Sequence, residues 1–124
     1  MIIIDTNAFL RFFLNDNKAK AAKVKKLLAV ESTIYVPDVV LPEIEYILVR
    51  GYGKKRTEML PLYNFIFKHS SLILTQQAKV AWVIYQTTTH DMADCLVAAA
   101  SLGGRLASFD RKLLRVKGVK RYWR

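Results

Sequence analysis

Apolar residues along the chain fall into short continuous runs separated by stretches of helical period. Ile2, Ile3 and Ile4 form an unbroken β-branched run. This is the pattern of a short strand buried on both faces, as in the centre of a parallel sheet. Residues 6–14 (TNAFLRFFL) are dense in Phe and Leu and broken only by Arg11, which predicts a helix with Thr6 or Asn7 near its N-cap. After the turn Asn15-Asp16-Asn17, residues 18–30 (KAKAAKVKKLLAV) predict a second helix whose basic face carries Lys18, Lys20, Lys23, Lys25 and Lys26. Residues 32–37 (STIYVP) predict the next strand, closed by Pro37, and residues 38–49 a helix with a glycine stop near Gly51 and Gly53.

In the second half, residues 54–68 predict a helix, in one piece or in two, because Pro61 would begin or kink one. Residues 71–75 (SLILT) predict a third strand, and residues 76–86 a helix with Val80, Val83 and Ile84 on one stripe. A polar connection leads to an Ala-rich helix over residues 91–102, ended by Gly103-Gly104. Residues 105–109 (RLASF) predict a fourth strand stopping at Asp110, residues 111–116 a helical turn, and residues 119–123 a final edge strand. The alternation of strand and helix predicts a single α/β domain over residues 1–124, with a central, mainly parallel sheet flanked by helices.

Composition narrows the partners. A 52% hydrophobic fraction in 124 residues excludes disorder and provides a core without disulfides. The densest apolar stretch, residues 39–49, holds Pro42, Glu43 and Glu45. It falls short of the roughly 20 apolar residues that span a bilayer, so no membrane association is predicted. The first residues have neither a basic segment nor a long apolar one, which predicts no signal peptide. One cysteine, Cys95, fits a reducing cytoplasm. Twenty Lys and Arg against ten Asp and Glu give a net charge of +10. That excess favours a polyanionic partner, nucleic acid before an anionic membrane surface. A solvated basic surface serving solubility is the plainer alternative.

The ten acids can each be weighed. Asp5 and Asp110 follow short apolar strands, and in a parallel sheet both ends would lie on one edge, although an N-cap explains either of them. Pro42 belongs in the first turn of a helix and so places Glu43 near a helix N-terminus, where complementing the dipole is the alternative. Asp91 and Asp94, spaced i, i+3, open the Ala-rich helix, as chemistry or as a capping pair. Together these are half of all the acids, and βα topology would gather them at one crevice. Close carboxylates repel and favour a bound cation, and oxygen donors without clustered Cys or His favour Mg²⁺ or Mn²⁺. An acid-lined metal site on a basic protein points to phosphodiester hydrolysis.

The ordered set Ile2-Ile3-Ile4-Asp5-Thr6-Asn7, Glu43, Asp91-Met92-Ala93-Asp94 and Ala107-Ser108-Phe109-Asp110 resembles the PIN domain, and among PIN domains the VapC toxins. The resemblance runs over essentially the whole chain. It implies an Mg²⁺- or Mn²⁺-dependent endoribonuclease, usually dimeric and inhibited by a cognate VapB antitoxin. Asp5, Glu43, Asp94 and Asp110 match the four acidic positions, with Asp5, Asp94 and Asp110 as metal ligands and Glu43 completing the site or orienting water. Asn7, Asp91 and Ser108 match supporting positions. Met92 and Cys95 differ from the commoner Phe and Ala, a variation in packing.

Other residues carry less. His90 reads as a polar loop residue, with tuning the site or binding metal as the alternatives; His69 has no companion, and Cys95 reads as a small core residue with no His placed to activate it. Phe9, Leu10, Phe12, Phe13 and Leu14 read as core, partly exposed at a dimer or antitoxin surface. Lys54, Lys55, Arg56, Lys120, Arg121 and Arg124 are candidates for RNA contact or a solvated face. Three rival functions stand beside the toxin: a general RNA-processing nuclease, an RNA-binding or regulatory module without chemistry, and an aspartyl-phosphate protein. The last is weakened because Asp5-Thr6-Asn7 has neither an acidic pair nor an Asp-x-Asp.

Overall fold

The computed structural model describes residues 1–124 and is α/β, with a three-stranded parallel sheet and seven α-helices. It divides into two compact units, Met1–Leu74 and Thr75–Arg124.

In the first unit the strands are β1 (Ile2–Ile3), β2 (Ile34–Tyr35) and β3 (Leu72–Ile73), in the order β1-β2-β3. Ile2 pairs with Ile34 and Ile34 with Leu72, while Ile3, Tyr35 and Ile73 form the next row. Single backbone bonds extend the ladder, Ile4 N–H to the Tyr35 carbonyl at 3.1 Å and Val36 N–H to that of Ile73 at 2.9 Å. Two expectations are corrected here. β2, not the isoleucine strand, is central among the three, and burial alternates along each strand. Ile34, Val36, Ile4, Leu72 and Leu74 are buried, whereas Ile3 is 57% exposed. A run of three isoleucines is equally compatible with one covered face or two, and the pleat sends Ile3 to the opposite face from its neighbours.

The helices of this unit follow local signals. α1 (Thr6–Leu14) begins where the Asp5 carboxylate accepts from Ala8 N–H at 3.0 Å, and it ends at Asn15, a residue tolerant of the left-handed backbone it adopts (φ 50°). α2 (Lys18–Val30) is capped by Asn17 and buries Ala21, Val24 and Leu28, which turns its lysines outward. α3 (Val40–Tyr46) passes into a π-helical turn, Ile47–Gly51, rather than continuing as α-helix to residue 49. Gly53 closes the segment at φ 66°. α4 (Arg56–Lys68) runs unbroken through Pro61, in one piece rather than two. The proline removes one donor, and its would-be acceptor is the carbonyl of exposed Thr57, within reach of water. α4 buries Met59, Tyr63 and Ile66, and the Tyr63 hydroxyl donates to the Leu41 carbonyl of α3 at 2.6 Å. Phe9 and Leu10 are buried, while Phe12, Phe13 and Leu14 are half-buried, with Phe9 stacked on Phe13 and Phe65 against Phe12 and Phe13.

In the second unit α5 (Gln76–Thr87) is capped by Thr75 and buries Ala78, Ala81, Trp82, Ile84 and Tyr85. Val83, expected on the apolar stripe, is 58% exposed, because the large aromatics Trp82 and Tyr85 set the buried face. α6 (Met92–Ser101) packs against α5 and buries Met92, Cys95 and Ala98. The fourth and final strands contract to one parallel bridge, Leu106 to Arg121, held by Leu106 N–H to Lys120 at 2.6 Å and Tyr122 N–H to Leu106 at 2.8 Å. Leu106 is the one buried residue of its segment, so there is no apolar face to support a longer strand. α7 (Arg111–Leu114) and a turn at Gly118 (φ 90°) connect the two sides of the bridge.

Replacing Tyr63 with Phe leaves the buried Leu41 carbonyl without its hydroxyl donor. We expect Tyr63→Phe to lose about 1–2 kcal/mol of stability, read from the urea midpoint at unchanged slope. An unchanged midpoint would show that the 2.6 Å bond contributes nothing net.

Candidate functional site

An α-helix starts with backbone N–H groups that have no partner inside the helix, and a short carboxylate is a preferred acceptor. Three of the acids singled out by the sequence fill this role. Asp5 caps α1 through Oδ1, Asp91 caps α6 by accepting from Asp94 N–H at 2.8 Å, and Asp110 caps α7 by accepting from Leu113 N–H at 3.1 Å. Each therefore has an identified structural task, and each keeps Oδ2 clear of its cap. Glu43 lies in the first turn of α3 and is exposed, as is Asn7 in the first turn of α1. Glu45, two positions beyond Glu43, is buried.

The second unit brings acids close together. Asp94 occupies the third position of α6 and is half-buried. Its carboxyl is held above its ordinary pKa of 3.8, first by burial and then by repulsion from Asp91 and Asp110, while His90 works the other way. A carboxylate in the first turn is favoured by the helix dipole, yet here burial and two like charges outweigh it. None of Asp5, Glu43, Asp91, Asp94 and Asp110 forms an ion pair with Lys or Arg. On a chain with two basic residues for every acid, that separation of charge is notable.

Two neighbours hold the loops. Ser108 accepts Asp110 N–H on its hydroxyl at 3.0 Å, which fixes the approach to α7. His90 places Nε2 3.2 Å from the Lys112 carbonyl, a donor position for the ring, and its own carbonyl receives the Cys95 thiol at 3.7 Å. His90 thus ties the segment before α6 to α7, a positioning role beyond the polar loop residue that the sequence predicts. Its contact spans 22 residues, and only its adjacency to Asp91 hinted at it. Cys95 is fully buried, as expected for a small core residue.

A match to the PIN domain family spans residues 2–119. The chain belongs to the PIN domain family. PIN domains are generally metal-dependent nucleases, so the chain carries a nuclease fold. No curated protein and no solved structure matches it. The donor chemistry of this PIN domain fits a divalent ion: oxygen donors only, mutually repelling, without cationic partners. The fit stops at donor type, since no three His, Cys, Asp or Glu side chains are placed to hold one metal ion.

Asp94 gives a pH test. Because its folded pKa is raised, the protonated carboxyl favours the fold. That stabilisation is complete below the ordinary value of 3.8 and is lost as pH rises through the raised folded value. Asp94→Asn should therefore melt at a higher temperature than wild type at pH 7, with the difference closing as pH falls below 3.8. Equal melting temperatures at pH 7 would refute the crowding.

Proposed function

We propose that this PIN domain is an Mg²⁺- or Mn²⁺-dependent endoribonuclease, the toxin component of a type II toxin–antitoxin pair of the VapC kind. The observation that carries this reading is the carboxylate crowding around Asp94, with no Lys or Arg paired to Asp91, Asp94 or Asp110 on a chain of net charge +10. Asp5, Asp94 and Asp110 would hold the ion, and Glu43 would complete the set or orient the attacking water. Asp91 supports Asp94 by fixing its backbone N–H, and Ser108 supports Asp110 in the same way. Asn7 supports the first acidic motif.

When bound, a divalent ion would supply an activated water and positive charge for the reacting phosphate. In hydrolysis the water oxygen bonds to phosphorus, the bond to the leaving oxygen breaks, and that oxygen takes up a proton. Basic residues hold the phosphate backbone, with Lys55, Lys120, Arg121 and Arg124 exposed for it. The proposal extends to a cytoplasmic setting, a homodimer and a cognate VapB-like antitoxin. No helix of the chain is long and apolar enough to cross a membrane.

A second reading is an RNA-binding or regulatory module on the PIN scaffold without chemistry. It is favoured by the lack of three converged ligand side chains.

Cleavage of a labelled single-stranded RNA with Mg²⁺ or Mn²⁺, and its suppression by EDTA, separates the two. Asp5→Asn and Asp110→Asn should each lower the cleavage rate by at least about a hundredfold. Their melting temperatures should stay near wild type, because Asn caps a helix about as well as Asp. Metal-independent binding without cleavage, or cleavage that survives Asp5→Asn, would overturn the nuclease assignment.

A further inference from the structure

We propose that Phe109 and Trp123 form a platform on which an unpaired base of the RNA stacks, next to Asp110. The identity of the ligand rests on the nuclease reading; the platform rests on separate observations. Phe109 is 85% exposed, Trp123 48% and Tyr122 52%, an apolar concentration at odds with their accessibility. The rings are ordered all the same. Phe109 and Trp123 lie parallel within 5° at a centroid distance of 4.7 Å, and Tyr122 meets Trp123 edge-on at 5.5 Å. Arg105 covers the Tyr122 ring at 5.0 Å, and the Leu106–Arg121 bridge fixes the backbone between the two aromatic sites. One face of Phe109 is taken by Trp123, and the exposure of the residue leaves the other to solvent.

Charge identifies the occupant. Residues 105–124 contain eight Lys and Arg and one acid, Asp110. Arg111, Lys112, Arg115, Lys117, Lys120 and Arg121 are all exposed. Aromatic faces set among cations match an unpaired base joined to phosphates, the combination that single-strand binding sites use. A duplex, whose base faces are already stacked, offers the ring nothing. Phe109 also immediately precedes Asp110, so the ring is anchored one residue from a proposed ligand.

The test is fluorescence anisotropy of a short labelled single-stranded RNA, measured in EDTA so that hydrolysis does not intervene. Phe109→Ala should weaken binding about tenfold, the effect of losing one base–ring stack. Phe109→Tyr should bind as wild type does. The salt dependence should keep its slope in both, because no phosphate contact is removed. An abasic oligonucleotide of the same length should bind wild type and Phe109→Ala equally. Equal binding of the RNA by wild type and Phe109→Ala overturns the platform, as does an equal loss on the abasic strand. A change in self-association on sedimentation with RNA binding untouched also overturns it and assigns the patch to a protein contact. Ring-dependent binding without metal-dependent cleavage keeps the platform and removes the nuclease. Metal-dependent cleavage with ring-independent binding does the reverse.

Discussion

Every helix that starts after a strand or loop must find acceptors for its first backbone N–H groups, and in this chain the acceptors are mostly acidic. Asp5, Asp91 and Asp110 each turn one oxygen to a first-turn N–H. That requirement fixes the backbone at the heads of α1, α6 and α7, and it orients the carboxylates without help from any metal. The remaining oxygen of each is left for another purpose. A capping role and a chemical role are usually weighed as rivals, but here the cap is the means by which the second oxygen is held in place.

The electrostatics build on this arrangement. Two cations per acid would ordinarily supply partners for exposed carboxylates, as Arg11 does for Asp16 at 2.9 Å and Lys54 for Glu58 at 3.5 Å. Asp5, Asp91 and Asp110 lack such pairs, and Asp94 is repelled by two like charges. Meanwhile the C-terminal segment concentrates cations around one acid, Asp110. Opposite charges are kept apart at short range while sharing one unit. That is the arrangement required where carboxylates serve a cation and the surrounding basic residues serve a polyanion.

The parts legible from sequence are those set by neighbouring residues. α1 and α2 end where the local signals put them, since Asp5, Asn15 and Asn17 act within three or four positions of the residues they cap. The acids at helix starts were legible for the same reason. Strand lengths were not, because a strand exists only where a partner extends alongside it. Residues 105–109 have the composition of a strand but find a partner at Leu106 alone. The place of the isoleucine run at the edge of the three strands, with Ile3 exposed, depends on pairing with residues more than thirty positions away. Val83 was misread because periodicity weighted aliphatic residues, and the buried face belongs to Trp82 and Tyr85. The bond of His90 to Lys112 is long-range and has no sequence signature.

Asp94 shows why the helix-head acids are more than caps. Unlike Asp5, Asp91 and Asp110 it caps no helix, and its own N–H serves Asp91. Burial and the nearby carboxylates disfavour its charge, so a neutral amide of the same shape would suit the fold better at neutral pH. In the proposed reading, the cation that the ionised form would bind accounts for a charge the fold works against. The stabilising choice at this position and the proposed functional one would then run in opposite directions. Asp5 and Asp110 differ in that each accepts a helix N–H on one oxygen. The three therefore differ in how the chain tolerates them, although the same chemistry would use them all.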